Sequence, residues 1–93
     1  MKRKDTVYCD DRTFETVTVM EAGFHGEMAT VHIYEVVRPT ARFFRTRWLD
    51  SKSFWISDFP TIDDGVLRMV ERVVNKERAD AATREKWNDF LNN

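Results

Sequence analysis

FPTIDDGVLRMVERVVN, residues 59–75, is the stretch on which the fold turns. Thr61 stands where a hydroxyl caps a helix, and Asp63 and Asp64 fall in the first turn, at the positive end of the helix dipole. Ile62, Val66, Met69, Val70 and Val73 then recur every three or four residues, the spacing of a helix with one apolar stripe. Such a stripe needs a surface to cover, and the sequence before Phe59 reads with the period of two that builds one.

Ser53 to Ser57 and Ala41 to Leu49 read as strands joined by a turn at Asp50-Ser51-Lys52. Arg38-Pro39-Thr40 ends the strand before them, Met28 to Val37, because proline has no amide donor for a ladder. Gly23-Phe24-His25-Gly26 can supply the positive backbone angles of a hairpin, and Phe14 to Ala22 alternates ahead of it. Asp10-Asp11 reads as a turn, with Thr6-Val7-Tyr8 a short first strand ahead of it. The expected fold is α+β: an antiparallel four-stranded meander, five-stranded if Thr6-Val7-Tyr8 joins, followed by one or two C-terminal helices packed on one sheet face. Asn75 to Lys86 is polar, and Trp87, Phe90 and Leu91 resume an apolar stripe. Asp80 would cap a separate second helix, whereas Trp87 falls nearly in phase with Val73 and favours a single one. For that trio the expected place is against the domain's own core.

At 93 residues, 1–93 make a single domain, and 42% apolar with 13% aromatic residues suffice for one core without a disulfide or structural metal. Fifteen Lys and Arg against 16 Asp and Glu leave a net charge of −1, so no overall field draws the chain to nucleic acid or an anionic membrane. Any such role must rest on a local patch. Apolar runs reach only three residues, as in Phe54-Trp55-Ile56, too short for a bilayer. Lys2-Arg3-Lys4 is followed by Asp5 rather than an apolar run, which is not the pattern of a signal peptide. Cytoplasmic residence is the expectation.

Catalysis needs a nucleophile with its base, a carboxylate pair or a metal cluster, and none stands out. Cys9 is the single cysteine, and neither His25 nor His32 is linked to it by spacing, so it reads as structural and the chain as no enzyme. No CxxC, HxxxH or EF-hand spacing joins Cys9, Asp10, Asp11 and the histidines, so neither metal nor cofactor is expected. Asp58, Asp63 and Asp64 form an acidic run, of which helix capping accounts for two.

Arg38 to Trp48 is the most informative stretch for binding. Arg38, Arg42, Arg45 and Arg47 are interleaved with Phe43, Phe44 and Trp48, with no acid from Val36 to Leu49. Arginines beside aromatics are materials for protein hot spots and for stacking on nucleic acid strands. If Val17, Val19, Val31, Ile33, Phe44, Trp48, Phe54 and Ile56 form the helix-covered face, the other face carries Thr16, Thr18, Met20, His32, Tyr34, Phe43, Arg45, Arg47 and Trp55. Tyr34, Arg42, Phe43, Arg45, Arg47 and Trp55 are then the candidate binding residues. Near-neutral charge suits a protein partner; a nucleic acid strand or a second copy, as a homodimer, are the other occupants such a face allows, and a membrane is not expected.

The RNA-recognition fold also exposes aromatics on an open sheet, but its glycine-bearing aromatic motif is absent, and Arg42-Phe43-Phe44-Arg45 does not replace it. In general style, a short α+β chain rich in charge and without catalytic signature, the protein is similar to small phage-encoded proteins that inhibit host enzymes or defence complexes. That likeness implies an inhibitor or adaptor and carries over no residue.

Overall fold

The computed structural model describes residues 1–38, 42, 43 and 45–92. Four strands lie side by side in chain order, β1 (Lys2–Cys9), β2 (Arg12–Gly23), β3 (Gly26–Val37) and β4 (Arg45–Trp55), all antiparallel. A short 3-10 turn (Ile56–Asp58) leads into one helix, α1 (Ile62–Asn92), which packs against the sheet. The architecture is thus the α+β meander the alternation predicts.

Three boundaries differ from the sequence reading. Thr6-Val7-Tyr8 belongs to the second half of a full eight-residue strand, paired with β2 from Lys2↔Val19 to Cys9↔Arg12. Asp50-Ser51-Lys52 is no turn: these residues pair with Ile33, His32 and Val31, fusing two expected strands into β4. The polar stretch after Asn75 does not break the helix, which runs on for 31 residues. Of the expected strand start, Ala41 and Phe44 lie outside the described residues, as do Pro39 and Thr40.

Local chemistry accounts for the turns. Asp10 and Asp11 both take left-handed angles, φ 52° and 61°, a conformation that Asp tolerates and that matches strand twist in a two-residue hairpin. The next hairpin closes at Gly23↔Gly26, where Gly26 has φ 117°. At the helix start the Asp64 amide donates to Thr61 Oγ1 at 3.1 Å, the cap expected from the sequence.

Closure at Gly23↔Gly26 sets even-numbered β2 residues opposite odd-numbered β3 residues, so Thr16 and Thr18 share a face with Ile33 and Val31. That face is the one α1 covers. Its core joins Phe14, Ala29, Val31, Ile33 and Phe54 to Val66, Met69, Val70, Val73 and Val74. The β2 assignment made from hydrophobicity is therefore inverted: Thr16 and Thr18 are buried and Met20 packs on the core, while Val17 and Val19 look the other way. Thr16 Oγ1 donates to the Asp5 carbonyl at 3.4 Å. Gly65 lies directly against Phe54, where an added Cβ would clash with the ring. That ring meets Phe59 edge-on at 5.3 Å.

Candidate protein-binding face

The face turned away from α1 is built from alternate residues of all four strands. Across it run Glu15–Tyr34–Trp48 and Glu21–Met28–Trp55 as laterally paired rows, with the Val36–Thr46 pair beyond the first. Between them lie two polar rows, in which His32 Nδ1 meets Ser51 Oγ at 2.7 Å and Thr30 Oγ1 meets Ser53 Oγ at 3.0 Å. Val17 and Val19 continue these rows toward β1, where Lys4 and Lys2 are their partners. Tyr34, as expected from sequence, lies on this face, and so does Trp55, 39% exposed. Trp48, expected in the core, joins them at 57% exposure. A shallow depression of about 460 Å³ runs beside Tyr34, with Lys4, Thr6, Glu15, Val17 and Thr46 along it. The face therefore includes acids, Glu15 and Glu21, where the sequence reading had none.

The exchange of Trp48 for the arginines has one cause. Pairing shifts between Ile33 and Tyr34, so that Ile33 faces Asp50 but Tyr34 faces Trp48, leaving Leu49 as the extra residue of a bulge. Leu49 packs against the core, and the residues before it change faces. Arg45 and Arg47 thereby pair with Val37 and Glu35, on the helix side of the sheet. Their expected placement beside Tyr34 and Trp55 is corrected. Arg42 and Phe43, both exposed, precede β4.

Arg47 finds an acid there, at the rim of a four-residue charge cluster. Arg12 grips Glu35 with two bonds, Nε to Oε2 at 2.7 Å and Nη2 to Oε1 at 2.8 Å, and donates from Nη1 to Glu77 Oε2 at 2.8 Å. Arg47 Nη2 adds a bond to Glu35 Oε1 at 3.2 Å. The Arg12 guanidinium also sits over the Phe14 ring, 5.1 Å from its centre. The hydrogen bonds from Arg12 hold the Glu35 carboxyl below the usual glutamate range, against the opposing effect of burial. Two cations and two anions here close on one another and tie β2, β3 and β4 to α1. Sequence reading missed this cluster because the acid lies just before the acid-free stretch and becomes its neighbour only across the ladder.

The remaining chemically able groups stay apart. Cys9 packs on the helix side, its thiol pushed up chiefly by burial and next by Asp10, which disfavours a thiolate. His32 is on the opposite face and His25 lies in the β2–β3 turn. Of the acidic run, Asp63 pairs with Arg3, and Asp63 and Asp64 both lie in the first turn of α1. Among the described residues, no group of three His, Cys, Asp or Glu could hold a metal ion, and no helix is long and apolar enough to cross a membrane. Comparison with known proteins adds no relative to this picture: no family model, curated protein or solved structure matches the chain.

Proposed function

We propose that the protein is a small protein-binding module, an inhibitor or adaptor, that lays its uncovered sheet face on a larger protein. The observation that carries this reading is the exposure of Trp48 and Trp55 on one rigid sheet face with Tyr34 between strands. Tryptophan and tyrosine dominate interface energetics because they bury a large area at little conformational cost, and their polar edges keep hydrogen-bond partners. Flanking Thr and Ser hydroxyls, with Lys4 and Glu15 at the margin, resemble the polar rim of such interfaces. A nucleic-acid role is less favoured, since Arg47 is already paired with Glu35 and the chain carries a net charge of −1.

Affinity capture from the native cell, with and without nuclease, tests the proposal. Wild-type protein retains a protein partner after nuclease treatment, whereas Trp48→Ser with Trp55→Ser, still folded by circular dichroism, weakens retention by roughly 30-fold or more, about 2 kcal/mol. Retention unchanged in the folded double variant overturns the assignment of the face. Nuclease-sensitive capture, with log affinity falling steeply and linearly with log salt, points instead to nucleic acid.

A further inference from the structure

The distal part of α1 has no place in the fold just described. Arg78 pairs with Asp10 at the β1–β2 turn, and beyond that point every described side chain, from Ala79 to Leu91, is exposed. Thirteen residues thus project by about 20 Å. The projection makes the molecule long, 55 × 37 × 18 Å, with a radius of gyration of 16.3 Å against the roughly 12 Å of a compact domain of this length. Trp87, Phe90 and Leu91, expected against the protein's own core, are 60%, 73% and 72% exposed. Single exposed apolar side chains are ordinary, but three within five residues at the exposed end of a helix form a patch. Helices in proteins are held mainly by packing of such a stripe.

The stripe is graded along its length. Ala79 and Thr83 lie on the same side of the helix as Trp87 and Phe90, at spacings of four, four and three residues, and Ala82 is nearby. Small residues therefore occupy the end near the sheet and large ones the outer end. Thr83 donates its hydroxyl to the Ala79 carbonyl at 2.9 Å, so it can be covered by an apolar side chain without losing a partner. Trp87 and Phe90 are already set edge to face, 6.0 Å between ring centres. A ridge of large residues and a shelf of small ones on one stripe are complementary to each other only when two such helices run antiparallel. The surrounding charges, Asp80, Arg84, Glu85, Lys86 and Asp89, are of mixed sign, and the chain's net charge of −1 does not oppose contact between copies.

From this self-complementarity we infer that the occupant of the distal stripe is a second copy of the chain, in a two-fold antiparallel pairing of the α1 extensions centred near Thr83. Trp87 of each copy rests on the Ala79–Thr83 shelf of the other, and Phe90 flanks it on the side away from the two-fold axis. The three large side chains cover on the order of 400 Å² per copy, about half of a standard interface, so the pairing is a weak and reversible one. This inference uses a surface separate from the open sheet face and stands whether or not that face binds a protein.

Sedimentation velocity of the purified chain from about 1 to 200 µM tests it. The expected result is a reversible shift from 11.1 kDa to twice that mass, lost or weakened at least tenfold in Trp87→Ser with Phe90→Ser and kept in Trp48→Ser with Trp55→Ser. In a Cys9→Ser background, Thr83→Cys forms a covalent dimer on mild oxidation and Ala79→Cys does not, as an antiparallel pair centred near Thr83 requires. A monomer at 200 µM overturns the inference, as does a dimer that depends on Trp48 and Trp55 or assembly that continues past two copies. Adsorption of a monomeric chain to anionic lipid vesicles, lost with Trp87 and Phe90, overturns it in favour of a membrane surface.

Discussion

The two halves of α1 are made of similar residues in one unbroken helix, yet only the first belongs to a core. From Ile62 to Glu77 the stripe of Val66, Met69, Val70, Val73 and Val74 is buried on the sheet; from Ala79 onward an equally apolar trio is bare. What separates them is the reach of the surface beneath. The sheet ends at the Asp10–Asp11 turn, which Arg78 reaches through its ion pair with Asp10, while the helix continues because its polar residues are adequate helix formers. An apolar stripe thus becomes core only where another element lies under it.

Substitutions separate the two halves most sharply at Val70, which is fully buried. Val70→Asp places an unpaired charge in the core and should abolish a cooperative thermal transition, its cost of several kcal/mol approaching the roughly 5–10 kcal/mol that holds such a domain together. A melt near the wild-type temperature would show that the first half is as dispensable to the core as the second. Gly65→Ala comes next: the new methyl group must displace Phe54, with an expected loss of about 1–3 kcal/mol measured by urea denaturation. The same Phe54 packing is untouched by changes at Phe90, so the contrast between these two positions reads the boundary directly.

Smallest is the effect at Glu77's partner network, where the first half of the helix ends. Glu35 is held ionised by Arg12, its folded-state value lying below that of the unfolded chain. Its contribution is therefore fully present above the unfolded value, near pH 4.3, and is lost as pH falls through the lower folded value. Glu35→Gln should cost about 1 kcal/mol at pH 7 and flatten the acid side of the stability curve. An unchanged acid slope would show that the cluster does not couple the sheet to the helix.

The helix start, the hairpin turns and the meander were legible because each has a local cause: Thr61, Asp10-Asp11 and Gly23…Gly26 act within a few residues of themselves. Facing was harder. On β2, valine and threonine alternate, and both suit a strand, so hydrophobicity alone selects Val17 and Val19 for the core. The deciding information was Phe14, in phase with Thr16 and Thr18, together with the two-residue closure at Gly23↔Gly26, which leaves no other register. The bulge at Leu49 had no comparable local mark. Through it Trp48 reached the open face with Tyr34 and Trp55, and Arg45 and Arg47 left it, so the placing of these three residues depended on the register between β3 and β4.

Because every strand pairs with its neighbour in sequence, each new strand emerging from a ribosome finds its template already made. Hairpins of this kind close in microseconds, far faster than residues are added, so the sheet can be assembled as it is synthesised. The helix comes last. Until Val66 to Val74 have emerged, Phe14, Val31 and Ile33 lie on a bare sheet whose other face carries Trp48 and Trp55, and the nascent chain exposes large apolar side chains on both faces at once. Its most aggregation-prone moment is thus a defined interval of synthesis, between completion of β4 and arrival of the first four turns of α1.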